Sequence, residues 1–179
     1  MDIIPYKQSL THSCLVACFL MLLKAQANIE FTEAEEQDLA LNGSKRRYSF
    51  YVIGIPSEIM KKYNKKIQVY ADNKYFTKVL QNSCEVNQGI KITHNSITLN
   101  LVRELLKKKP LICHIDNNAL GDYSHTSHFI VLEKTTKDTI QILDPWTGKK
   151  KHISNNVLEK AIYNLKTQVK MCPLLFSID

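Results

Sequence analysis

Two rhythms of apolar residues run along this chain. Cys14 to Leu23 is a nearly unbroken apolar run between a polar approach, Gln8 to Ser13, and Lys24. It is too short to span a bilayer and rich in helix formers, so it predicts a buried helix from about Ser13 to Ala27. Thr32-Glu33-Ala34-Glu35 is a capping-box pattern opening a second helix, which runs to Leu41 and stops at Asn42-Gly43. Lys45-Arg46-Arg47-Tyr48 reads as a basic loop.

Ser49 to Ile55 is aromatic and β-branched but ends at Gly54-Ile55-Pro56, which predicts a short strand or an extended connector. Ser57 to Tyr63 has an amphipathic helical spacing, with Ile59 and Met60 inward. Ile67, Val69 and Ala71 alternate with Gln68 and Tyr70, as in a strand, and Tyr75 to Leu80 suits a short helix. Residues 82–94 follow neither period. Ile97, Leu101 and Leu105 with Leu99, Val102 and Leu106 predict a helix from Ser96 to Lys109, capped by Asn95 or Ser96 and ended by Pro110.

The rhythm then changes. Leu111 to Ile115, His128 to Glu133 and Thr139 to Asp144 read as strands, the last two joined at Lys137-Asp138. Asp116 to Ser127 is a polar loop, Asp144-Pro145-Trp146-Thr147-Gly148 a turn into Lys149 to Ile153, and a helix follows Ser154 to about Leu165. Cys172 to Ile178 returns as a final strand, while Met1 to Ser9 is an extended arm. The fold class expected is α+β: a helical N-terminal part, about 1–109, on one side of a mostly antiparallel sheet in about 110–179. Without a repeat or linker, residues 1–179 read as one domain with a cleft between its two parts.

Composition agrees with an ordinary globular domain: 179 residues, 44% hydrophobic, with only five Gly and five Pro, which excludes a disordered chain. The net charge of +7 comes from short lysine runs (61–62, 65–66, 107–109, 149–151) that lack interleaved aromatics. Such runs read as solvated faces, so no nucleic-acid partner is expected, although acidic partners or a membrane surface would be favoured. Residues 14–23 with Ala25-Gln26-Ala27 mimic a secretory signal, but the preceding segment has one Lys and includes Asp2. The expectation is a cytoplasmic protein, or one exported without a cleaved leader, with no integral membrane segment.

Five cysteines, at 14, 18, 84, 113 and 172, are odd in number and scattered, which predicts free thiols rather than a disulfide framework. Cys14, Cys18 and His12 invite a zinc reading, but no second ligand pair follows at zinc spacing, and neither a metal nor an organic cofactor is expected.

Cys14 has a different use. In the first turn of a helix, free backbone N–H groups and the positive end of the macrodipole favour a thiolate. His128, at the boundary of a polar loop and a strand, is the candidate base; its alternation with Phe129 and Val131 lets it face a cleft. His125, in the loop, competes for the role but lacks a rigid mount. Asp144 ends the next strand, on the same edge as His128, and is the candidate to orient the imidazole. Gln8, six residues before Cys14, would supply an amide donor to an oxyanion beside the Cys14 N–H, a term worth on the order of 3 kcal/mol in such sites.

Gln8 and Cys14 with Ala17-Cys18-Phe19-Leu20-Met21, then Ser127-His128-Phe129-Ile130-Val131-Leu132 and Ile142-Leu143-Asp144-Pro145, resemble the bacteriocin-processing (double-glycine leader) peptidases of the papain-like cysteine peptidase fold. The resemblance implies Gln8 as oxyanion donor, Cys14 as nucleophile, His128 as base and Asp144 as its partner, acting on a peptide or protein substrate. Two departures stand out. Ser13-Cys14-Leu15 replaces the Asp-Cys-Gly common in that family, so Leu15 adds bulk where a substrate backbone would pass, and no transporter segment or phosphate loop is present. The expected function is a thiol-dependent hydrolase. The alternatives are a non-catalytic peptide-binding module of the same fold, or an acyltransferase or deamidase using the same triad.

Overall fold

A seven-stranded sheet with strand order β2-β1-β7-β3-β4-β5-β6 forms the middle of the protein in this computed structural model, which describes residues 2–45, 49–83, 89–121 and 124–179. In chain order the elements are α1 (Cys14–Ala27), α2 (Glu33–Gly43), α3 (Tyr51–Tyr63), β1 (Ile67–Ala71), α4 (Lys74–Ser83), β2 (Ile90–His94), α5 (Leu99–Leu106), β3 (Leu111–Asp116), β4 (Ser127–Thr135), β5 (Thr139–Asp144), β6 (Lys149–Ser154), α6 (Asn155–Thr167) and β7 (Leu174–Ile178). Only β1 and β2 run parallel; every other neighbouring pair is antiparallel.

Helices cover both faces of this sheet, where the sequence suggested one. Ile112, Phe129, Val131 and Leu143 join the core built on α1 and α3, whereas Cys113, Ile130, Leu132 and Ile142 join a second core with α5 and α6. A strand covered on both sides needs apolar residues at every position. That is why Leu111 to Ile115 reads as a continuous run, and why all of β3 is buried. β1 and β2 also bring part of the helix-rich first half into the sheet, through β1 pairing with β7.

Most element ends follow local chemistry. Thr32 and Glu35 make the reciprocal capping box of α2, and Asn28, with φ of 51°, closes α1 by donating its N–H to the Lys24 carbonyl. One end differs from expectation. Thr98, not Asn95 or Ser96, caps α5, because the Asn95 N–H pairs with the Ala71 carbonyl and the Ile97 N–H with Asp72, holding that segment extended.

Most of Ser49–Ile55 is helical rather than strand or connector. Val52, Ile53, Ile55 and Ile59 are all buried against the α1 core, so tertiary packing overrides local β preference. Pro56 deprives the Val52 carbonyl of its helical donor, and next to it Ser57 Oγ donates to the Ile53 carbonyl over 2.7 Å. The packing also requires Gly43: a Cβ there would stand 2.6 Å from Ile55 Cγ1 and 2.8 Å from its Cα. Residues 90–94 form β2, while residues 46–48 of the expected basic loop, Cys84 and residues 122–123 lie outside the described set. No helix among the described residues is long and apolar enough to cross a membrane.

Candidate active site

Cys14 occupies the first position of α1, and the N-cap residue Ser13 makes no side-chain cap to that helix. Backbone N–H groups of its first turn are therefore left without intrahelical acceptors beside the thiol. Ser13, which would ordinarily cap, is turned the other way: its hydroxyl sits between the Leu10 carbonyl, at 2.8 Å, and the Glu36 carboxyl. Glu36 is fully buried and also accepts from the Tyr6 hydroxyl at 2.7 Å and the Ser9 N–H at 3.1 Å. One carboxyl from α2 thus ties down the arm and the loop that deliver Cys14.

His128 and Asp144 meet in the interior. The register Val131↔Leu143 places Asp144 opposite Ile130, two residues from His128 and on its side of the sheet. His128 Nε2 lies 2.9 Å from Asp144 Oδ1, and the two residues are 3% and 1% exposed. Asp144 Oδ1 also accepts from the Trp146 N–H at 3.0 Å, and Oδ2 accepts from Thr147 Oγ1 at 2.9 Å and Lys151 Nζ at 3.1 Å. Burial would raise the Asp144 pKa, but the His128 hydrogen bond and charge, with Lys151 and Thr147, hold it well below the usual carboxylate range. For His128, burial favours the neutral ring, yet hydrogen bonds to Asp144 and Cys14 and their charges outweigh it and carry the pKa up to about 9. Cys14 and Asp144 therefore act on one imidazole, and the ring nitrogen left free by Asp144 is Nδ1.

The cleft beside these residues has a volume of about 840 Å³ and is lined by Cys14 and His128 with Thr11, Tyr51, Asn117 and Trp146 among others. Leu15 is not in its path. It is fully buried in the α1 core, because the helix turns it away from the cleft, so the expected bulk beside the nucleophile does not arise.

Gln8 comes close to this site in the chain, but its amide is engaged. Nε2 donates to the Leu10 carbonyl at 2.6 Å and the Thr11 carbonyl at 3.1 Å, and Oε1 is buried without a partner among the described residues. Its backbone N–H donates to the Pro145 carbonyl at 2.8 Å. His125 pairs through Nδ1 with buried Asp116 at 2.7 Å and does not line the cleft.

Four contributors escape sequence reading. Glu36 looks like one more acid of a surface helix. Lys150 and Lys151 look like members of a solvated run, yet they pair with buried Glu133 and Asp144. His114 lies inside an apolar strand with Nδ1 3.1 Å from the Cys172 carbonyl and Nε2 2.7 Å from Ser127 Oγ. A carbonyl only accepts, so Nδ1 carries the proton and Nε2 accepts from Ser127. Burial, opposed by the Cys172 carbonyl and helped by the charge of His128, lowers the His114 pKa to about 4 and keeps the ring neutral.

No family model matches the sequence, and no curated protein matches it. At the level of fold the chain resembles the C39-like peptidases. Among solved structures it is similar to a candidate C39-like peptidase from Bacillus anthracis, with a TM-score of 0.58 and 12% identity over 97% of this chain and 94% of that one.

Proposed function

We propose that this chain is a cysteine peptidase-like hydrolase of the papain-like fold, related to the bacteriocin-processing peptidases, in which Cys14 is the nucleophile, His128 the acid and base, and Asp144 its orienting partner. The observation that carries the reading is the buried His128–Asp144 hydrogen bond of 2.9 Å on a ring that also interacts with Cys14 at a cleft. The likeness in fold to a C39-like peptidase supports it.

In the reaction, Cys14 sulfur as thiolate attacks the carbonyl carbon of a peptide bond, while the imidazolium of His128 holds the proton. The tetrahedral oxyanion is met by the Cys14 backbone N–H and by the Gln8 amide. Gln8 can donate there only by releasing one of its present acceptors, and the longer of the two bonds, to Thr11, is the weaker hold. His128 then gives its proton to the leaving amine, the C–N bond breaks, and Cys14 remains as a thioester. Water, deprotonated by His128, attacks that thioester and restores the thiol and the free carboxylate. Asp144 keeps the ring oriented throughout, and its contacts with Trp146, Thr147 and Lys151 keep the acid itself in place.

The test is a peptide-library cleavage profile, with Gly-Gly-containing leaders included, for wild type and Cys14→Ala side by side, together with labelling by a thiol-directed electrophile. Wild type should cleave and label at Cys14, and the variant should do neither while staying folded. Full cleavage by Cys14→Ala overturns the mechanism. Running the reaction with and without an amine acceptor separates hydrolysis from acyl transfer.

A further inference from the structure

We propose that Lys151 is a positioning residue of this site: its ammonium clamps the outer oxygen of Asp144 and withdraws part of that carboxylate's charge from His128. The kinetic side of the proposal rests on the peptidase reading, whereas the titration side does not.

The strand register explains how a lysine reaches a buried acid. β6 runs antiparallel to β5 with Asp144↔Lys149 and Ile142↔Lys151, so Lys149 and Lys151 stand on the same side of the sheet as Asp144. Lys149 is exposed, while Lys151 brings its Nζ to 3.1 Å from Asp144 Oδ2. Lys150, between them, points the other way and pairs with Glu133 and Asp2. Three consecutive lysines are thus divided between the two faces of one strand.

Asp144 consequently lies between two cationic partners, His128 on Oδ1 and Lys151 on Oδ2, with its side chain 1% exposed and that of Lys151 31% exposed. A bare buried carboxylate would bind the imidazolium with a full charge. With an ammonium on its second oxygen, the acid presents His128 with a reduced one, and the lysine also repels the imidazolium directly. Both effects loosen the proton on His128. In a cysteine hydrolase that ring must give its proton to the leaving amine, so an imidazolium held too tightly is a poor acid.

Among the described residues, the other titratable groups named against this pair do not duplicate the effect. Cys14 of α1 acts on His128 in the same sense as Asp144, His114 of β3 is held neutral by burial where His128 titrates, and Cys18 of α1 is a buried thiol whose own pKa is pushed well up by burial. Lys149 stands opposite Asp144 on β6. Of the lysines on this strand, Lys151 is the one in ion-pair contact with Asp144.

The experiment is an NMR titration of the His128 ring in Cys14→Ala carrying Lys151, Lys151→Met or Lys151→Arg, read alongside the pH profile of kcat/KM for the same changes with Cys14 present. Lys151→Met should raise the His128 midpoint by about one pH unit and move the alkaline limb of kcat/KM the same way. Lys151→Arg, which keeps the charge, should leave both near wild type. An unmoved or lowered midpoint in folded Lys151→Met overturns the proposal. If that variant does not fold, Lys151→Gln decides by the same titration, and failure of both to fold also overturns it, because the role would then be structural. A raised midpoint in a protein that cleaves no peptide overturns the peptidase reading and leaves the electrostatic role of Lys151 standing.

Discussion

The Gln8 backbone N–H donates to the Pro145 carbonyl over 2.8 Å, so the loop leading to Cys14 is fastened to the turn leaving Asp144. Residues more than a hundred positions apart in the chain are thereby held in one frame, and only His128 has to be aligned with both. Because Gln8 bridges the two through its backbone, its side chain can be removed without cutting this tie. Gln8→Ala should therefore lower kcat by about 10²–10³-fold, as loss of an oxyanion donor does, with KM little changed. If the amide only braces Leu10 and Thr11, thermal stability will fall and kcat will follow the folded fraction; steady-state kinetics beside a melting curve distinguishes the two.

Asp144→Asn should cost less than His128→Ala. The amide can still accept a hydrogen bond from His128 but brings no charge, whereas alanine removes the proton carrier. Loss of general acid–base catalysis is worth about 10²–10⁴-fold, and His128→Ala is expected at or beyond the upper end of that range in kcat/KM. Progress curves on one peptide substrate for both variants check the order.

The His128 pKa of about 9 fixes a pH window. The folded protein holds this proton more tightly than the unfolded chain, whose ring titrates near the ordinary 6.5. Its contribution to stability is then complete below 6.5 and is lost as pH rises through about 9. Activity that depends on the protonated ring should fall across the same upper boundary. Urea midpoints and kcat/KM measured from pH 6 to 10 test both, and His128→Ala should flatten the stability curve.

His114 works in the opposite direction. Burial holds its pKa near 4 against an ordinary 6.5, so as pH falls through 6.5 the unfolded chain takes up a proton that the folded one refuses. Stability should decline between pH 6.5 and 4, with a contribution from this ring on the order of 2 kcal/mol by pH 4.5. In His114→Gln that part of the acid slope should disappear, as read by denaturant unfolding at pH 7, 5.5 and 4.5.

Glu36→Ala removes a common acceptor from Tyr6, Ser9 and Ser13 in the interior. Stranding these donors should destabilise the protein by about 3 kcal/mol, read as a shift in denaturant midpoint. The loop before Cys14 would also lose its anchor, so electrophile labelling at Cys14 should slow even at temperatures where the variant is folded. Equal labelling rates in folded wild type and variant would separate Glu36 from the site.

What could be read from the sequence was what depends on short-range chemistry. Cys14 at a helix start, the Thr32–Glu35 cap, the strand ends at His128 and Asp144 and the hairpin between them all follow from period, capping and turn residues. What could not be read depends on partners distant in the chain. The α3 helix exists because Gly43 lets Ile55 approach and the α1 core buries its apolar side, neither of which Tyr51 to Pro56 displays locally. Leu15 looked like an obstacle only because its helical phase was unknown, and Lys151 like a solvated charge because nothing in a lysine run marks which member has a buried acid to meet.

The lysines of β6 have one more consequence, which concerns the sheet rather than the site. Among the described residues β6 is an end strand of the sheet, with one row of backbone donors and acceptors lacking a neighbouring strand, and its sequence opens with Lys149-Lys150-Lys151. Long lysine side chains along such a strand, with the charge of exposed Lys149 among them, hinder an identical strand from pairing there, which discourages edge-to-edge growth into aggregates. At the opposite end, β2 has only five residues, and the Gln81 side chain donates to the Ile92 carbonyl at 2.9 Å, occupying one of its hydrogen-bonding groups. Replacing the β6 lysines with threonine or valine would thus open the sheet to pairing with other copies of the chain.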